Sequence, residues 1–241
     1  MKRAGQRTRR NRSLLVFGTA VVVLMLAACV SDATGDVAGT LAPSEFAANA
    51  SNGPTVVVIG DSISTGFQTS AADAWPTRLE QKLAAEGTPI VLVNAAENGA
   101  GYLVEGDGGK TFEQQAATQV PSQTQLVVVY GSENDLGSEL GDISSQVANT
   151  AATVKAHAPQ ATLLFVGPAS YSPEVDPDLL MIRDQIKSGA QSAGAKFADP
   201  IEDHWIMDDK SELIGPDGDH PTVAGHVYLE QKFEALIKPL L

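Results

Sequence analysis

From residue 54 onward, short and nearly unbroken apolar runs alternate with longer stretches whose apolar positions recur every three or four residues. The runs at 55–59 (TVVVI), 90–93 (IVLV), 126–130 (LVVVY) and 162–166 (TLLFV) are rich in β-branched side chains, and 196–198 offers a shorter fifth. Such runs predict strands buried on both faces, because a strand with one wet face alternates apolar and polar positions. The segments 74–86, 142–157, 176–193 and 221–236 predict helices. Leu79 and Leu83 fall four apart on one face of the first, and Ile143, Val147 and Val154 do nearly the same in the second. Strand–helix alternation with this spacing predicts an α/β domain, a mostly parallel five-stranded sheet with helices on both sides. No internal repeat breaks the pattern, and residues 54–241 are expected to form one domain of ordinary size.

The first 53 residues follow different rules. Lys2, Arg3, Arg7, Arg9, Arg10 and Arg12 precede an apolar run at 13–28 (SLLVFGTAVVVLMLAA) that ends in small residues. That order predicts an export signal over residues 1–28. The run falls short of the ~20 apolar residues a spanning helix needs. Leu26-Ala27-Ala28-Cys29 resembles the bacterial lipobox, in which the cysteine becomes the lipidated N-terminus after cleavage. Cys29 is the chain's only cysteine. It therefore allows neither an intrachain disulfide nor a cysteine-based zinc site. Residues 30–53, rich in Ala, Ser, Gly, Thr and Asp, are expected to act as a flexible tether behind the lipid. The protein is thus expected on the outer face of the cell membrane, held by a lipid anchor.

Charge narrows the partners. The formal net charge of the 241 residues is −13; without the six N-terminal cations, ten basic side chains face 29 acidic ones, leaving −19. A surface that acidic repels phosphate backbones, so nucleic acid is not an expected partner.

Four short blocks carry the candidate chemistry. Gly60-Asp61-Ser62 follows the first strand, where ligands of open parallel sheets bind, and places a hydroxyl on a turn. Alone, these are three ordinary turn residues. Asp217-Gly218-Asp219-His220 precedes the last helix. A serine hydroxyl needs a neighbouring base, and an imidazole base needs a carboxylate to fix its tautomer. Asp217 and His220, three apart, supply both. A metal set of Asp217, Asp219 and His220 lacks a further ligand, and Asp219 by itself reads as a solvated or helix-capping acid. The loops after the second and third strands hold Gly99 and Asn134, and these with the Ser62 N–H offer donors for a developing oxyanion.

In this order, Gly-Asp-Ser, Gly99, Asn134 and Asp-x-x-His resemble the SGNH, or GDSL-like, hydrolases, over nearly all of 55–241. The resemblance implies a three-layer α/β/α, flavodoxin-like fold and an ester hydrolase using neither metal nor organic cofactor. It implies Ser62 as nucleophile, His220 with Asp217 as base pair, and Ser62, Gly99 and Asn134 as oxyanion donors. Departures are Ile63-Ser64 after the serine, a second candidate glycine at 101, and Glu133, which puts a carboxyl of unread direction beside Asn134. His204, next to Asp203, is a rival base. His157 suits a helix C-terminus, and His226 suits packing within the last helix. Asp61 and Asp135 are expected to brace their loops, and Trp75 and Tyr102 to pack. The acidic pair Asp208-Asp209 reads as a solvated face. An acyltransferase acting on envelope glycans and a non-catalytic glycan-binding lipoprotein are the alternatives to an esterase of short acyl or acetylated-sugar esters.

Overall fold

The computed structural model describes residues 53–207 and 212–241; the predicted export signal, Cys29, the tether and Asp208-Asp209 lie outside them. Each apolar run forms a strand: β1 (Thr55–Gly60), β2 (Val91–Asn94), β3 (Thr124–Tyr130), β4 (Thr162–Val166) and β5 (Lys196–Ala198). All pairings are parallel, in the order β2-β1-β3-β4-β5. That is the flavodoxin-like order, whose switch point lies between β1 and β3.

The unbroken hydrophobicity of the strands has the predicted cause. Along β1, Val57 and Ile59 face one core with Val127, Val129, Leu163 and Phe165, while Val56 and Val58 face the other with Leu126, Val128 and Leu164. Three helices cover the first face: α3 (Phe112–Gln119), α4 (Ile143–His157) and α5 (Pro177–Ser192). Two cover the second, α2 (Trp75–Ala85) and α6 (Val223–Ile237). The result is the three-layer α/β/α arrangement. On the α2/α6 side, Phe233 stacks on Trp75 with ring centroids 3.7 Å apart and meets Tyr130 edge-on at 5.0 Å. Trp75 also donates its indole N–H to Ser64 Oγ at 3.2 Å, so this core grips the turn beside Ser62.

Two helices go beyond the sequence expectations. The four-residue α1 (Ser62–Thr65) begins at the candidate nucleophile, with Asp61 as its N-cap accepting the Ile63 N–H. Helix α3 starts in a capping box, where the Thr111 hydroxyl and the Gln114 side chain bond each other's backbone N–H groups. It buries Gln115, whose amide accepts from Gly60 N and donates to Gly60 O, both at 3.0 Å. That two-way bond holds the end of β1 from which Ser62 departs.

Candidate active site

Three loops at the carboxyl ends of the strands meet beside the switch point. Ser62, first residue of α1, is delivered by β1; Asn134 lies in a single 3₁₀ turn after β3; His220 lies in the loop before α6. Ser62 Oγ lies 3.0 Å from His220 Nε2 although 158 residues separate them. On the other side of the ring, His220 Nδ1 lies 2.8 Å from Asp217 Oδ2. Asp217 Oδ1 accepts the backbone N–H groups of Asp219 and His220, each at 3.1 Å. Both oxygens are therefore fixed by the loop they belong to. The bond to the His220 ring, with those two N–H bonds, holds the Asp217 carboxyl down at about 2. Phe67 packs against the imidazole, with ring centroids 4.8 Å apart.

Two glycines were open as the second oxyanion donor, and the structure separates them. The Gly101 N–H is spent on Val104 O at 2.9 Å, and a Cβ at Gly101 would overlap the Asp135 carboxylate. Gly101 is needed for that close approach. Gly99, with φ +74°, has open space around its Cα, and among the described residues no protein group accepts its N–H or that of Ser62. Asn134 Nδ2 donates to Ala100 O at 2.9 Å, which ties its amide to the residue following Gly99 and leaves its second N–H. The Gly99 loop is also tied to the nucleophile turn. Glu97 N donates to Gly60 O at 3.1 Å, and Thr65 Oγ1 to Asn98 Oδ1 at 2.6 Å.

The arrangement is a hydroxyl, an imidazole and a carboxylate in line, with N–H donors free nearby. The model of the GDSL-like lipase/acylhydrolase family matches residues 58–228. The chain belongs to that family. This acylhydrolase is 43% identical over 187 residues to a GDSL lipase of Mycobacterium tuberculosis, a match covering 76% of the chain and 80% of the relative. It shares its fold with the crystal structure of TesA (TM-score 0.62, 24% identity, 78% of this chain and 99% of that one). The carbohydrate acetylesterase Est24 of Sinorhizobium meliloti has the same fold (TM-score 0.58, 16% identity, 78% and 100%). As a family member, the acylhydrolase is an enzyme acting on esters.

Asp135 of the acylhydrolase braces its loop as expected. Its buried carboxylate accepts from the N–H groups of Tyr102, Leu103 and Val104 at 2.8, 2.9 and 3.2 Å and from the Ser132 hydroxyl at 2.7 Å. Asp61 is likewise buried and bonds Ile63 N and, at 3.4 Å, Ser132 N; burial outweighs those bonds and pushes its carboxyl up to about 7. Asp219 is exposed, as a solvated loop acid is, and it also borders the site. Its Oδ2 lies 3.7 Å from His220 Nδ1, and with Glu133 it lines a polar cleft beside Ser62.

The remaining histidines of the acylhydrolase stand apart from the Ser62–His220 contact. His157 ends α4 in the open, His204 occupies a turn after β5, and His226 is wholly buried in α6. Trp75 and Tyr102 are core residues. Among the described residues, no group of three or more His, Cys, Asp or Glu is placed to hold a metal ion. Two spaces adjoin the site. A groove of about 370 Å³ runs past Asp217 and His220 along Gln68, Thr69, Pro216 and Val223. The polar cleft, about 20 Å³, is lined by Asp61, Ser62, Ile63, Glu133, Asn134 and Asp219.

Proposed function

We propose that the chain is an exported, lipid-anchored serine esterase that cleaves short-acyl esters, acetyl esters of sugars among them, through an acyl-enzyme on Ser62. The observation that carries this reading is the unbroken relay from Ser62 Oγ through His220 to Asp217, with contacts of 3.0 and 2.8 Å.

Ser62 Oγ attacks the acyl carbonyl carbon while His220 Nε2 takes its proton. Asp217 holds Nδ1–H and stabilises the imidazolium. The carbonyl oxygen gains the negative charge, and the N–H groups of Ser62, Gly99 and Asn134 receive it. As the tetrahedral intermediate collapses, the bond to the alcohol oxygen breaks and His220 returns the proton to that oxygen. Water then repeats the sequence on the acyl-enzyme, with His220 again as base, and the free acid leaves. The 20 Å³ cleft at Ser62 has room for a group about the size of one water, which favours acetyl over long chains. The larger groove beside His220 suits the alcohol, because His220 must reach the leaving oxygen. Export and anchoring rest on the basic n-region, the apolar run and the lipobox-like approach to Cys29.

Hydrolysis of p-nitrophenyl esters from acetate to octanoate by the purified protein, beside Ser62→Ala, tests the proposal. Activity should fall with chain length and vanish in the variant. Equal rates with and without the hydroxyl would remove Ser62 from the mechanism.

A further inference from the structure

We propose that the groove of about 370 Å³ beside His220 is a subsite for an apolar alcohol, with Val223 as a specificity-determining residue. Among short-acyl esters the enzyme then prefers those of alkyl or aryl alcohols, and cleaves those of hydroxyl-rich alcohols such as sugars more slowly. The inference deepens the Ser62 esterase reading by naming its preferred substrates, and it rests on that reading.

The two spaces at the site divide the ester between them. The cleft of about 20 Å³ is lined by Ser62 and Asn134, the nucleophile and an oxyanion donor, and so belongs to the acyl half. The groove is lined by His220 and Asp217 and by none of Ser62, Gly99 and Asn134. His220 must hand its proton to the departing alcohol oxygen, so the alcohol lies on the histidine's side.

The lining of the groove is mostly apolar. Pro216, Pro221 and Val223 present carbon surface to it. The two threonines that border it have engaged hydroxyls: Thr69 Oγ1 donates to Gly66 O at 3.0 Å, and Thr222 Oγ1 donates to Glu212 O at 2.6 Å and accepts the Gly225 N–H at 3.1 Å. Asp217 and His220 are bonded to each other, which leaves Gln68 as the remaining polar side chain of the lining. A polyhydroxyl group placed here gives up water for few new partners. No Lys or Arg lines the groove, so an anionic alcohol finds no counter-charge. Of the four large hydrophobic side chains exposed among the described residues, two stand at this place. Val223, at 46%, lines the groove, and Phe67, at 40%, packs on the His220 ring.

Both walls are fixed in advance. On one, Thr69 N also donates to Gly66 O, closing a turn that holds Gln68 at φ +65°, a left-handed value uncommon for a residue with a side chain. On the other, Gly215 N donates to His220 O at 2.8 Å, Thr222 N donates to Leu213 O at 2.9 Å, and Thr222 caps α6. Walls already ordered cost little further entropy when an alcohol fills the space between them.

The experiment measures kcat/KM by acid release, with the full-length protein and V223S, on acetates of ethanol to pentanol, on glyceryl monoacetate and on ethyl butanoate. Pentyl and glyceryl acetates carry equal numbers of heavy atoms, and butyl acetate and ethyl butanoate are isomers. In the parent, kcat/KM should rise with alcohol length by up to about fourfold per methylene. Pentyl acetate should exceed the glyceryl ester by about tenfold or more, and butyl acetate should exceed ethyl butanoate. V223S should cut the pentyl-to-glyceryl ratio by about two- to fourfold; as a ratio, it is insensitive to changes common to both esters. Should V223S not fold by circular dichroism, V223D, suited to a helix start, decides the role of the residue. A glyceryl ester cleaved as fast as the pentyl ester, ethyl butanoate cleaved faster than butyl acetate, or an unchanged ratio in the variant overturns the proposal. Failure of the underlying reading looks different: Ser62→Ala would hydrolyse pentyl acetate as fast as the parent.

Discussion

Replacing Asp135 with alanine removes the acceptor for four donors at once. Tyr102 and Ser132 are buried, while Leu103 and Val104 are only partly so. The latter two N–H groups can turn to water, but the buried pair cannot. A buried donor left without a partner costs about 1–3 kcal/mol, so the substitution should destabilise the protein by about 2–6 kcal/mol. For a domain of this size, about 4 kcal/mol lowers Tm by roughly 8–16 °C. The loop 99–104 loses its anchor, and with it the Ala100 carbonyl that orients Asn134. A lost oxyanion donor lowers kcat by about 10²–10³. Thermal unfolding by circular dichroism, with kcat/KM measured well below both transitions, reads the two effects separately. Gly101→Ala should reproduce both through the overlap of its Cβ with the same carboxylate. A Tm shift under about 3 °C in Asp135→Ala would refute this account of the loop.

Asp217→Asn should lower kcat by about 10⁴ with little change in KM, as expected when the imidazole loses its tautomer-fixing partner; a loss below about tenfold in steady-state assays would hand that role to Asp219. Burial, helped by Arg78, lowers His226 from 6.5 to about 4, so its contribution to stability is present above pH 6.5 and lost as pH falls toward 4. Asp61 and Glu133, whose values are raised, act with the opposite sign, so the comparison is made between the parent and His226→Leu: the variant should lose less urea resistance across that window, and parallel curves would exclude His226. Cys29→Ser should move the protein from the membrane to the soluble fraction on cell fractionation; retention at the membrane would rule out the lipid anchor.

The strands were legible because double burial leaves no polar position to confuse the pattern: 162–166 and 196–198 match β4 and β5 residue for residue. Helix α3 escaped because it is eight residues long and buries only Phe112, Gln115 and Ala116, one of them an amide. Its available signal was the start, Thr111-x-x-Gln114. The site was legible as residue types in order, since each block ends a strand or precedes the last helix. Spacing from Asn94 favoured Gly99 but left Gly101 open; the Asp135 carboxylate distinguishes them, through bonds made more than 30 residues along the chain. An acid in a Gly-Asp loop reads as solvated, and Asp219 is exposed; that it also borders the cleft beside Ser62 depends on the path of the loop.

A strongly acidic protein that stabilises a developing oxyanion faces a conflict, because every ionised carboxyl near Ser62 raises the barrier. Asp61, Glu133 and Asp219 all line the cleft beside that residue. The fold resolves the conflict by enclosure. Burial raises Asp61 to about 7 and Glu133 to about 8, so near neutrality much of this charge is carried as neutral acid. The carboxylate that must stay charged, Asp217, is not buried but is wrapped by two backbone N–H groups and the imidazole, on the far side of the His220 ring from Ser62. Two opposite shifts within one loop cluster thus separate the acid that must ionise from the acids that must not, and this division follows from which segments of the chain cover each carboxyl.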